Sequence, residues 1–165
     1  MSCKDALIKN AITLPPEATV NEALRLIDER EIRTIPVVDA TNRFIGMFGL
    51  HCLMEDLLPM AARMEGGITD LGFVEGGAPG AAKRIRKLAP LSLKGLVERT
   101  DKSAVLSPDL PMLEVIRRLA EFGSPLPVVD ENHGFIGLVS EQSCLSFLNN
   151  VLKDVEAEEK EEKHD

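Results

Sequence analysis

The sequence predicts an α+β, α/β-like fold: two β-α-β-β-α repeats in tandem, packed sheet to sheet with pseudo-two-fold symmetry. Three observations predict it. The stretches "TIPVVDATNRFIGMFG" (Thr34–Gly49) and "PLPVVDENHGFIGLVS" (Pro125–Ser140) share P-V-V-D and F-I-G, with Pro36 recurring as Pro127 and Gly46 as Gly137 at an offset of 91 residues. Ahead of each lies an apolar stripe spaced i, i+3, i+4, i+7: Val20, Ala23, Leu24 and Ile27 first, then Met112, Val115, Ile116 and Leu119, 92 residues on. Each repeat is about 50 residues, too few to bury two helices and a sheet alone, so two copies must share a core.

The elements follow in order. "AITLPPEAT" and "SAVLSPDLP" open the copies as short apolar stretches that prolines bring to an end, the pattern of a first strand. The striped helices come next. Thr19 followed by Glu22 predicts a reciprocal capping box at the first, and Pro111 suits the first turn of the second. Each P-V-V-D run and each F-I-G run is a β-branched strand, and the Asp, Asn, Gly and His between them predict a hairpin closed by Asp39 or Asp130. A second helix follows, with Leu53, Met54, Leu57 and Leu58 on its apolar face in one copy and Cys144, Leu145, Leu148, Val151 and Leu152 in the other. Residues 1–60 thus form the first repeat and 90–152 the second. Between them, 61–89 reads as a glycine-rich loop, "MEGGITDLGFVEGGAPG", then a short basic helix stopped by Pro90; 153–165 reads as an acidic, solvated tail, its charge run either a frayed helix end or a solvated segment.

Composition narrows the function. The net charge is −8, and seven acids against three lysines from Lys153 onward supply half of it, which leaves a mildly acidic body without Trp or Tyr. Such a surface is unsuited to phosphate backbones, so nucleic acid is not an expected partner. No apolar run approaches the length of a membrane span and no signal-peptide core opens the chain, so the expected setting is cytoplasmic, with no membrane partner. Three cysteines without a C-x-x-C are expected as reduced, buried thiols, and no metal-ligand spacing occurs. Met47, Met54, Met60 and Met64 are read as core filling.

Taken together, the helix, the h-P-V-V-D strand and the Gly of F-I-G resemble paired cystathionine β-synthase (CBS) domains arranged as a Bateman module. The resemblance implies a non-catalytic regulatory module, commonly a homodimer. In that family the clefts between copies take an adenosine-containing ligand such as AMP, ADP, ATP, S-adenosylmethionine or a dinucleotide, while no cofactor is required. The regulated protein is not named by the sequence. By family position, Thr34, Ile35 and Pro36 in one copy, and Pro125, Leu126 and Pro127 in the other, line the adenine and ribose cleft, with Thr13 and Val105 on the strands at the adenine edge. The family window after the Gly places a Thr or Ser on the phosphate and, three residues later, an Asp on the ribose. The second copy reads Gly137 to Ser143: Ser140 matches the hydroxyl, Gln142 is a variable position and Ser143 stands in for Asp. The first has Gly49 and Cys52 at those places, with His51 beside them as a donor to phosphate or an ordinary surface histidine. An ionised Asp accepts from both ribose hydroxyls and Ser143 does not, so ribose recognition is expected to weaken by about 1.5–3 kcal/mol for each bond lost. Ser140 is also where a plain helix cap is expected.

Other motifs carry less. "EGGAPGAAKRIRK" lacks Walker spacing, because Ala81 and Ala82 intervene before Lys83 and Arg84 follows it. Lys83, Arg84, Arg86 and Lys87 form a basic face, either merely solvated or attractive to ligand phosphates or an acidic partner. His133 falls in an exposed turn. No nucleophile stands beside a base, so an enzyme is not expected. The competing reading is a ligand-free interaction or dimerisation module with degenerate clefts.

Overall fold

The computed structural model describes residues 1–59, 62, 77–97 and 100–164. Its helices are α1 (Val20–Arg30), α2 (Leu50–Leu57), α3 (Gly77–Leu88), α4 (Met112–Phe122) and α5 (Glu141–Glu162). Strands β1 (Thr34–Val38) and β2 (Phe44–Gly49) make one two-stranded sheet, and β3 (Leu126–Val129) and β4 (Phe135–Val139) make another. The fold is α+β, as the repeat pattern predicts.

Two compact units emerge, and each gathers its core from segments remote in sequence. One holds Ile12–Ala40 and Ile45–Arg99. Its core joins Val20, Ala23 and Ile27 of α1 to Ile35 and Val37 of β1, Phe48 of β2 and Leu53 of α2, and Leu93 and Val97 complete it from after α3. The late segment is fixed by backbone bonds: the Val20 amide donates to the Leu91 carbonyl (3.0 Å), and the Leu93 amide to that of Ala18 (2.9 Å). Gly46 is required here because a Cβ would collide with the Val97 backbone carbonyl.

The other unit holds Met1–Ala11, Thr41–Phe44 and Thr100–Asp165. Its core unites Met112, Val115 and Leu119 of α4, Leu126 and Val128 of β3, Val139 of β4 and Cys144 of α5 with Cys3 and Ala6 from the N-terminus. Strands β3 and β4 run antiparallel with a bulge between Val128 and Val129. Ile8 adds to the β4 edge: its amide donates to Leu138 at 2.7 Å and accepts through its carbonyl from Leu138 at 3.1 Å. Gly137 leaves room for that approach, since a Cβ there would strike the Ile8 carbonyl. The tips of both hairpins lie in this unit. The Phe44 amide donates to the His133 carbonyl and the Phe135 amide to that of Asn42, each at 2.9 Å, and the two phenyl rings stack at 6.2 Å between centroids. Asn42 and His133, equivalent under the repeat offset, both adopt left-handed backbone, φ 64° and 62°.

Several expectations are corrected. Each repeat's first strand is reduced to one bridging residue: Leu14 to Val37 and Leu106 to Val128, both parallel. Pro36 and Pro127 accept from the Leu14 (3.1 Å) and Leu106 (2.8 Å) amides, and the Leu14 and Leu106 carbonyls accept from Val38 (3.0 Å) and Val129 (2.9 Å), so each parallel bridge is complete without a proline N–H. Helix α3 starts at Gly77, four residues inside the expected loop, because Pro79 falls in a first turn whose amides need no intrahelical partner. Of the two readings of the acidic tail the helix end holds: α5 continues to Glu162, in keeping with its Ala, Glu and Lys content, and every residue from 152 to 164 is exposed. Met54, Leu145 and Leu152, placed on apolar faces by spacing, are more than half exposed, and Leu58 lies beyond α2 as its C-cap. Cys3 and Cys144 are buried thiols, whereas Cys52 is only half-buried. Met60 and Met64 lie outside the described residues.

Candidate functional site

The second-repeat window is built where β4 hands over to α5. The backbone turns from extended at Ser140 (φ −113°, ψ 164°) into the helix. Here the full reciprocal box forms: Ser140 Oγ accepts from the Ser143 amide and Ser143 Oγ from the Ser140 amide, both at 3.0 Å. Ser143 also donates its hydroxyl hydrogen to the Ser140 carbonyl at 3.1 Å. Its donor is therefore committed, whereas the Ser140 hydrogen is available to a partner outside the turn. The Glu141 amide is satisfied by Ser124 Oγ at 3.1 Å. A phosphate at this helix start would thus meet one hydroxyl donor and the Gln142 amide, with its neighbours already bonded.

The residues around the turn divide by exposure. Leu126 and Pro127 are buried within β3, Pro125 is half-buried, and Gln142 is exposed. Ser140 and Ser143 are half-buried. Val105, at the predicted adenine edge, is half-buried, and its carbonyl receives Arg118 Nη1 at 3.4 Å. Arg118 Nε is held by Glu114 at 3.1 Å, and Arg117 Nε by the same carboxylate at 2.9 Å. Hydrogen bonds from Arg117, then Arg118, hold the Glu114 carboxyl down to about 2. Sequence reasoning missed this guanidinium beside Val105. The available signal was Glu114 followed by Arg118 four residues later on one helix.

The first-repeat window differs. Gly49 caps α2 without a side chain, and the Leu50 amide instead finds the Arg33 carbonyl at 3.1 Å. Thr34 donates its hydroxyl to the Phe48 carbonyl at 2.9 Å, and a Cβ on Gly49 would sit 3.3 Å from Thr34 Oγ1. The Thr34 hydroxyl thus crowds the position a side chain on residue 49 would enter. Ile35 and Pro36 are buried, Thr13 is half-buried, and His51 is exposed on α2 beside Glu55, its Nε2 3.7 Å from that carboxylate. At the start of α1, Thr19 Oγ1 accepts from the Glu22 amide at 3.2 Å, the threonine half of the predicted box.

Among the described residues no group of three or more His, Cys, Asp or Glu is placed to hold a metal ion, and no helix is long and apolar enough to cross a membrane. Cys3 and Cys144 are neighbours in the core; burial, reinforced by Cys144, pushes the Cys3 thiol up to about 11, and burial raises Cys144 as well. Such thiols are poor nucleophiles.

The protein-family model described as "CBS domain" matches residues 3–58 and 96–150. No curated protein matches the chain. The CBS-pair protein CBSX2 from Arabidopsis thaliana superposes with a TM-score of 0.68 at 21% identity, over 92% of this chain and 96% of that one. CBSX2 in complex with AMP gives 0.65 at 19%, over 91% and 97%. A CBS domain-containing protein of Bacillus anthracis gives 0.67 at 14%, over 91% and 94%. At such identities the likeness is one of fold.

Proposed function

This chain belongs to the CBS domain family, and from that premise we propose that it is a non-catalytic regulatory module that binds an adenosine-containing ligand on the unit built around its second repeat. The observation that carries the reading is the Ser140 hydroxyl, which caps α5 through its oxygen while keeping its hydrogen available to a phosphate. The complex of CBSX2 with AMP supports the ligand class. The phosphate end is the stronger anchor, because the Ser143 hydroxyl hydrogen is committed within the turn and Ser143 brings no carboxylate to the ribose. The first-repeat window, with Gly49 and Cys52, offers less. Regulation would follow from different affinities of two arrangements of the module for the ligand.

A thermal-shift titration of the whole chain against AMP, ADP, ATP, NAD and S-adenosylmethionine tests this. Ligand at about 100 times its dissociation constant adds roughly 2.7 kcal/mol, several degrees in midpoint for a domain of this size. A saturable shift with one compound identifies the ligand. A second reading, a ligand-free interaction module, is favoured by the committed Ser143 hydroxyl and the cap-less Gly49. No shift with any compound at millimolar concentration would establish that reading instead.

A further inference from the structure

Three sulfur-bearing side chains gather in the core of the unit built around the second repeat. Cys3 lies in a short 3-10 turn, Cys3–Ala6; Met112 opens α4, and Cys144 stands in the first turn of α5. All three belong to one buried cluster, with 0%, 7% and 3% of their surface exposed. Cys144 Sγ lies 3.8 Å from Met112 Sδ. Two sulfurs each about 2.3 Å from a shared ion stand about 3.8–4.0 Å apart at angles between tetrahedral and trigonal. The Cys3 thiol is close enough to Cys144 to be raised by it beyond what burial does.

The backbone fixes each donor. The Cys3 amide donates to the Leu110 carbonyl at 2.8 Å, the Met112 amide to that of Met1 at 3.4 Å, and the Cys144 amide to that of Ser140 at 3.0 Å. Among the described residues no polar or charged side chain is buried, so no imidazole or carboxylate is at hand to make up the four ligands that a structural zinc takes. Thiolate and thioether donors without nitrogen or oxygen instead select a soft monovalent ion, Cu(I). Held by two thiolates, that ion leaves one negative charge. Met112 and Cys144 each lie at the positive, N-terminal end of a helix, which offsets it.

We propose that Cys3, Met112 and Cys144 form a binding site for a single Cu(I) ion. The ion takes the place of the two thiol protons, which pass to solvent, and Met112 adds a neutral third ligand. No electron is transferred. Without the ion both thiols stay protonated, because burial raises each of them. Entry is through the N-terminal segment, whose Met1 is 79% exposed: local opening there admits the ion, and closure clamps the segment to α4 and α5. None of these residues is among those assigned to the nucleotide, so the site stands apart from the proposed function.

Anaerobic titration of the full-length chain with Cu(I) against the chromophoric chelator bicinchoninate decides it. The native chain and Cys52→Ala are expected to withhold one equivalent from the chelator and to gain several degrees in thermal midpoint. Cys3→Ala and Cys144→Ala should each weaken binding by more than the roughly 10–100-fold that loss of an outer partner costs. Met112→Leu keeps the core volume and should weaken binding about tenfold through the missing thioether alone, with circular dichroism and the copper-free midpoint little changed. X-ray absorption should show a shell of sulfur only. No copper withheld, copper lost with Cys52→Ala, copper kept by either core cysteine variant, binding indifferent to Met112→Leu, or nitrogen or oxygen in the shell overturns the inference.

Discussion

Ser140 and Ser143 stand where the family pattern has a hydroxyl and a carboxylate, and each spends bonds on the other's backbone. The variant Ser143→Asp restores a carboxylate at the first turn of α5, where the helix dipole also favours it. Its expected effect is about tenfold tighter binding of whichever nucleotide shifts the native chain, read by isothermal titration. Unchanged affinity would show that the ribose is not held at this turn. Ser140→Ala should cost about 1 kcal/mol in urea unfolding through the lost cap and abolish nucleotide binding as well. The thiols make a separate prediction. With Cys3 titrating near 11 and Cys144 also raised, a neutral-pH thiol reagent should label about one cysteine, Cys52, in the native chain, and the other two only on unfolding. Rapid labelling of all three would mean that the N-terminal segment opens readily.

Among the elements, strong periodicity was readable and edges were not. The stripes of α1 and α4 appear in sequence as i, i+3, i+4, i+7, and Val20, Ala23, Met112 and Val115 are buried as spacing requires. The same logic overstated α2 and α5, because a stripe records which residues are apolar and not how wide the opposing surface is. Leu53 and Cys144 find a core; Met54, Leu145 and Leu152 do not. Helix α3 began early since glycine and proline in a first turn look like loop composition. Within the site, the Ser140 cap was legible from the window itself, whereas Arg118 beside Val105 depends on helix and edge meeting in space, which no local pattern encodes. The repeated Gly of F-I-G announced itself as a motif, yet its cause is a neighbour remote in sequence. Gly137→Ala must displace the Ile8 backbone and is expected to cost about 1–3 kcal/mol, measurable as a lower urea midpoint at unchanged slope. A neutral outcome would mean that the N-terminal edge is dispensable.

For the molecule as a whole, the duplication is visible in the letters but the exchange of segments is not. Cys3 and Ala6 lie in the core that α4 and β3 organise, and Leu93 and Val97 in the one that α1 and β1 organise. A fragment of residues 1–59 therefore lacks two fully buried side chains worth about 1.5–3 kcal/mol each, a large share of a typical 5–15 kcal/mol total stability. It is expected to show no cooperative thermal transition, whereas a fragment of residues 12–97 should retain one. A sharp transition from the shorter piece would refute the idea that Leu93 and Val97 close that core. If they do close it, inheritance is constrained too: a descendant that dropped either copy would discard the piece that seals the other, so the two halves of this duplication are kept together or lost together.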